Sequence, residues 1–217
     1  MDRPRPSPRA RAVGGAGAAA RALAMLTAVA LLGGCGGGSA NAVAPTTPTN
    51  AAQEFAGAPL PGNVPAPSFE LTDVDGGSVT LADSRGQVTV LAFLDSTCRA
   101  CVLIAQQIRG ALDQLPHPPP VLIVSVDPAL DTPARVAAFL AQTGLSGRVS
   151  YLVGPDRALA ATWRDYHVRT PASGEAAFES GAPVLLIDPL GRERVIFQEE
   201  QLTPEGLAHD IGTLQRG

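Results

Sequence analysis

The chain has 217 residues, 45% of them hydrophobic, and its 16 basic residues are all Arg, against 20 acidic ones. That length holds one ordinary domain plus targeting or linker sequence. The formal charge of −4 comes without any basic run in the body of the chain, which gives no reason to expect a nucleic-acid partner.

The first 34 residues read as a secretory signal rather than as domain. They carry five Arg and one Asp, then the apolar segment 22–32 (ALAMLTAVALL), then small residues. The apolar stretch is too short to span a bilayer as a helix, which takes about 20 residues. Leu32-Gly33-Gly34-Cys35 resembles the bacterial lipobox, which implies acylation of Cys35 and a mature chain that begins there. The expected location is therefore extracytoplasmic, anchored to the bacterial cell membrane by lipid. Without residues 1–34, 11 Arg face 19 acids, a mature charge of −8. Three cysteines are an odd count for an exported chain. Lipid on Cys35 leaves Cys98 and Cys101 as a natural pair.

Residues 35–61 are dominated by Gly, Ala, Pro, Thr and Asn with no hydrophobic period, and are expected to form a flexible tether. The domain is expected over 62–217. SFELTD and SVTLAD alternate in polarity around Asp75-Gly76-Gly77, predicting an N-terminal hairpin. VTVLAFLD (88–95) is the near-continuous apolar run of a strand buried on both faces. Residues 101–115 place apolar side chains at helical spacing, and VLIVSVD (121–127) is a second buried strand. Thr132 as N-cap, Pro133 at the first helical position and Gly144 beyond the end predict the next helix. Asp156 is expected to cap a third helix running through DRALAATWRDYHV, where Leu159, Trp163 and Tyr166 form a core stripe. PVLLIDP (183–189) and ERVIFQ predict a strand hairpin, and Thr203-Pro204-Glu205 opens the last helix. This order implies an α/β fold, a mixed sheet covered by helices.

Chemistry concentrates in LDSTCRAC (94–101). A C-x-x-C pair where a central strand passes into a helix fits a redox switch, half of a metal site, or a structural bridge. Helix N-terminal N–H groups stabilise a thiolate and lower a cysteine pKa from its free value of about 8.5. Cys98 is then the attacking thiol and Cys101 the resolving one, with Arg99 adding positive charge. A structural bridge over so short a loop stabilises little, and the βαβ context favours redox work. Thr97 is placed to hydrogen-bond the thiolate. Asp127 ends a strand and is expected to line the cysteine pocket, where a carboxylate relays protons. Asp131 is expected to support the following helix. A peroxidase reading is disfavoured because LDSTC lacks the proline that reading needs.

SVDPALDTPARVAAFLAQTG (125–144), YLVGPDRALAATWRDYHV (151–168) and VLLIDPLGR (184–192) resemble the Sco/SenC family of thioredoxin-fold proteins, from about Val64 to the C-terminus. The resemblance implies a thioredoxin-like fold and either copper binding in cytochrome oxidase assembly or thiol reduction there. It implies metal ligation by two cysteines, here Cys98 and Cys101, together with a histidine. The chain departs from that pattern. Its cysteines are one residue closer than the family's C-x-x-x-C, and Ser180 stands nearest the histidine position. His117, His167 and His209 are the remaining imidazoles, and only His167 is a candidate ligand. GAPVLLIDPLG is similar to the strand entry of TlpA/ResA-like thioredoxins, which implies a cis Ala182–Pro183 bond facing the cysteines and open backbone for a substrate polypeptide. The leading expectation is a membrane-anchored thiol–disulfide oxidoreductase that needs no cofactor and acts on protein dithiols or disulfides. The alternatives are a Sco-type copper-binding assembly factor working with cytochrome oxidase assembly components, and a non-catalytic binding domain with a structural disulfide.

Overall fold

The structure is a computed structural model that describes residues 54–170 and 183–217. Its centre is an eight-stranded mixed sheet in the order β1-β8-β7-β4-β5-β6-β2-β3. The strands are β1 Ala58–Pro59, β2 Glu70–Asp73, β3 Ser78–Thr80, β4 Thr89–Leu94, β5 Val121–Ser125, β6 Ser150–Val153, β7 Val184–Ile187 and β8 Glu193–Phe197. Helices α1 (Arg99–Gln114), α2 (Pro133–Thr143), α3 (Asp156–Asp165) and α4 (Pro204–Arg216) flank it, which makes the fold thioredoxin-like as expected. No described helix is long and apolar enough to cross a membrane.

The three central parallel strands follow from the sequence. Every residue of β4 and β5 is buried, as in strands covered on both faces. The register pairs Val90 with Val121 and Leu94 with Ser125. On the other side β7 runs antiparallel to β4, pairing Val184 with Ala92. Pro183 therefore lies beside the end of β4 that leads into the cysteine turn.

Local signals set the helix ends. Thr132 caps α2 through its side chain, Pro133 occupies the first turn, and Gly144 takes the left-handed conformation at φ 73° that an L side chain resists. Gly206 N–H donates to Thr203 Oγ at 3.1 Å, capping α4. α1 packs against both α2 and α4.

Four boundaries differ from expectation. α1 begins at Arg99, two residues early, because Cys98 is its N-cap. Asp156 is the first residue of α3 rather than its cap, a position that Pro155 fills, and the helix ends at Asp165. The run SVTLAD stops being strand after Thr80. There Asp83 accepts from both the N–H and the hydroxyl of Thr80 and turns the chain into a 3₁₀ segment. The expected domain start at 62 moves back. Ala58 pairs with Ile196, and the fully buried Asp210 of α4 accepts from the N–H groups of Ala56 (2.8 Å) and Gly57 (2.9 Å). A Cβ on Gly57 would come within 2.6 Å of the Val195 side chain, so only glycine permits this approach. Residues 54–61 therefore belong to the domain and not to a tether.

The sequence-expected core stripe holds. Leu159 and Tyr166 are buried and Trp163 packs against the core. Tyr166 stacks at a tilt on Phe93 with ring centres 5.4 Å apart, and its hydroxyl donates to the Pro67 carbonyl.

Candidate functional site

The site is the turn between β4 and α1. β4 ends at Leu94, and the next seven residues, Asp95 to Cys101, carry the chain through the turn into the first residues of α1. Cys98 and Cys101 are joined in a disulfide with Cα atoms 5.1 Å apart. Cys98 is partly exposed, and its Sγ accepts a hydrogen bond from the Cys101 N–H at 3.0 Å. Cys101 is fully buried. The sulfur at the surface thus sits at the positive end of a 16-residue helix, where an anion is stabilised. The other sulfur lies one turn inward, shielded from solvent.

Two buried carboxylates shape this turn. Asp95 is 4% exposed, and it immediately follows a fully buried strand whose last five residues are apolar. Its Oδ1 accepts from the Thr97 N–H, the Thr97 hydroxyl and the Cys98 N–H, each at 2.8 Å. Asp131, also 4% exposed, accepts from the Ser96 N–H (2.8 Å) through Oδ1, and from Ser125 Oγ (2.6 Å) and the Tyr151 hydroxyl (2.7 Å) through Oδ2. The Leu94 carbonyl lies 3.2 Å from the Tyr151 hydroxyl as a second, longer acceptor. Burial, and then the Asp131 carboxylate, pushes the Tyr151 hydroxyl far above the ordinary phenol range, so it remains a donor. Strands β5 and β6 are in this way tied to the backbone just ahead of the cysteines. The Ser96 hydroxyl is the single buried side-chain polar atom without a partner among the described residues.

These contacts revise several expected roles. Thr97 lies in the turn, but its hydroxyl donates to Asp95 in this disulfide form and not to a cysteine sulfur. Asp131 holds the cysteine turn, while the start of α2 is capped by Thr132. Asp127 accepts from the Leu130 N–H at 3.3 Å and lines a cavity with Pro128, Asp156 and Trp163, which includes neither cysteine. Sequence reasoning gave Asp95 no role, although a signal was present. An acid directly after the five buried apolar residues 90–94 has to be hydrogen-bonded or ionically compensated.

Pro183 is buried and lines a different cleft of about 490 Å³ with Tyr166, His167, Leu185 and Glu193. The Ala182–Pro183 bond involves Ala182, which, like Ser180 and the acylation candidate Cys35, lies outside the described residues. His167 follows α3 in a left-handed conformation at φ 56°. Burial raises the Glu193 carboxyl above its ordinary range, and the nearby His167 opposes the rise. His209 contacts Asp210 on α4, and the His117 carbonyl accepts from Gln215. The group of metal-capable side chains that the described residues assemble is Asp95, Cys98 and Cys101, with candidate donor atoms all within 4.8 Å of one another and no imidazole among them.

The arrangement defines a thioredoxin-fold protein with a cysteine pair at the junction of central strand and first helix. The chain belongs to the SCO1/SenC family, whose profile matches residues 59–216. A comparison with curated proteins finds no match. Several solved structures are similar. ScoI of Bradyrhizobium japonicum with copper bound is 24% identical at a TM-score of 0.52, covering 70% of this chain and 99% of that one. A SCO1/SenC family lipoprotein of Bacillus anthracis is 20% identical at a TM-score of 0.57, covering 72% and 97%. The thioredoxin domain of a thiol-disulfide oxidoreductase from Bacteroides vulgatus is 15% identical at a TM-score of 0.54, covering 70% and 96%.

Proposed function

We propose that the protein performs thiol–disulfide exchange with other proteins through Cys98 and Cys101. The observation that carries this reading is the asymmetry of the pair. A partly exposed sulfur caps a helix N-terminus and is bonded to a fully buried one. In the reducing direction the Cys98 thiolate attacks a partner disulfide, forming a mixed disulfide and releasing one partner thiolate. The Cys101 thiolate then attacks Cys98 Sγ, re-forms the Cys98–Cys101 bond and releases the second partner thiolate. Two electrons pass to the partner, whose thiolates take up protons. Run backwards, the same steps oxidise a partner dithiol. The lipobox-like Cys35 and the signal-like leader support placement of this chemistry outside the cytoplasm at the membrane surface, where disulfides persist.

Insulin reduction by the full chain, driven by a dithiol, tests the reading. Turnover should vanish in Cys98→Ser. Persistence of turnover in that variant, or its absence in the unmodified chain, would refute exchange at this pair.

A second reading is copper binding for cytochrome oxidase assembly. It is favoured by membership of a family that includes a copper-bound ScoI. Two thiolates suit a soft copper ion, and Cys98 and Cys101 would hold it once reduced. Among the described residues the donor grouped with them is a carboxylate and not an imidazole, so the fit there extends to the sulfur pair.

A further inference from the structure

We propose that the reduced cysteine turn binds a borderline divalent cation of the zinc class, through the Cys98 and Cys101 thiolates and the Asp95 carboxylate. The three donor groups already lie within 4.8 Å of one another. Each is held by a different constraint. Asp95 follows the last residue of a buried strand, Cys98 is the N-cap of α1, and Cys101 lies in its first turn. Ligands fixed in this way lose little freedom on binding, which is what a selective site needs.

The hydrogen bonds leave room for a ligand bond. All three that Asp95 accepts fall on Oδ1, so Oδ2 takes part in none of them. One carboxylate oxygen organises the turn, and the other accepts none of these bonds.

The donor chemistry selects the ion. Zinc accepts cysteine sulfur at about 2.3 Å and carboxylate oxygen at about 2.0–2.2 Å in one tetrahedral shell. A monovalent copper ion favours the sulfurs alone and leaves the carboxylate unused. Three protein ligands leave the fourth tetrahedral position for water, the open form of a zinc site. A +2 ion also offsets the negative charge that two thiolates and a buried carboxylate bring together. Among the described residues no ion pair involves Asp95. The disulfide and the metal compete for the same sulfurs. A phosphine or dithiol reductant must first supply two electrons to break the Cys98–Cys101 bond, and the metal then displaces the two thiol protons. Metal binding would hold the pair reduced and withdraw it from exchange. The assignment shares its sulfurs with the exchange reading but does not depend on it.

The test uses the full chain carrying Cys35→Ser, so that only the 98/101 pair supplies thiolate. The protein is reduced with a phosphine, freed of oxygen and titrated with Co²⁺, followed by Zn²⁺. One equivalent of Co²⁺ should produce a thiolate-to-cobalt charge-transfer band together with the strong visible bands of a tetrahedral ion, and one equivalent of Zn²⁺ should abolish both. X-ray absorption on the zinc form should find two sulfur and two oxygen neighbours. Asp95→Asn keeps the Oδ1 acceptor and should weaken Co²⁺ binding by at least about tenfold, the low end of what a lost supporting group costs a metal site. The absence of a charge-transfer band overturns the proposal. So does a shell of four sulfurs shared by two chains, or undiminished binding in Asp95→Asn. Insulin turnover by the metal-free protein reads exchange separately, so either reading can fail while the other stands.

Discussion

Two turns of this molecule are built on buried aspartates, and they treat the charge differently. At the β7–β8 turn Asp188, 6% exposed, accepts from the Leu190 and Arg192 N–H groups through Oδ1, and its Oδ2 pairs with Arg194 at 3.3 Å. At the β4–α1 turn Asp95 and Asp131 accept from backbone N–H groups and hydroxyls only, and no described cation pairs with either. A hairpin that has only to reverse the chain neutralises its buried carboxylate with an arginine. The cysteine turn keeps two uncompensated carboxylates beside a pair of sulfurs, an arrangement that costs desolvation energy and is found where chemistry is done.

Replacing Asp131 and Asp188 in turn by alanine sharpens this contrast and gives the largest effect. Asp131→Ala strands the Ser96 N–H and the Ser125 hydroxyl in the interior and leaves the Tyr151 hydroxyl only its longer contact with the Leu94 carbonyl. It should lower unfolding stability by about 3 kcal/mol or more, the combined cost of several unmet buried donors, and should also shift the reduction potential of Cys98–Cys101. Asp188→Ala should destabilise by a smaller amount and leave the potential unchanged. Urea unfolding and equilibration in a thiol buffer read the two quantities. Equal shifts of potential in both variants would break the comparison.

The smallest expected effect lies in the cleft beside Pro183. Burial raises the Glu193 carboxyl pKa, against an opposing pull from His167. The folded state then holds this proton to a higher pH than the unfolded chain does. The stability linked to it is fully present below the unfolded pKa of about 4.3 and is lost as pH rises through the folded value. Glu193→Gln removes the dependence, so the stability of the variant relative to the parent should rise by a few tenths of a kcal/mol between about pH 4 and pH 7. A flat difference across that range would show that the carboxyl is not held protonated by the fold.

Much of the fold could be read from local signals. Thr132, Pro133 and Gly144 mark both ends of α2, and the apolar runs 88–95 and 121–127 contain β4 and β5, because caps and buried strands are written in adjacent residues. The cysteine pair was legible for the same reason. What escaped depends on long-range partners. The Asp131–Ser96 bond joins residues 35 apart, and Asp210 reaches 153 residues back to Gly57. The two-residue strand β1 carries no period of its own and exists because Asp210 and β8 receive it. Asp156 looked like a cap because acids are favoured both at that position and in the first helical turn, where it lies.

The central claim is that Cys98 is the sulfur that meets a partner. A Cys101→Ser variant of the full chain, mixed with a disulfide-bearing protein such as insulin, tests it most directly, since the mixed disulfide can no longer be resolved from within. A covalent adduct should accumulate, be released by added dithiol and map to Cys98. A chain that forms no adduct under these conditions, or forms it at Cys35 alone, would contradict the account.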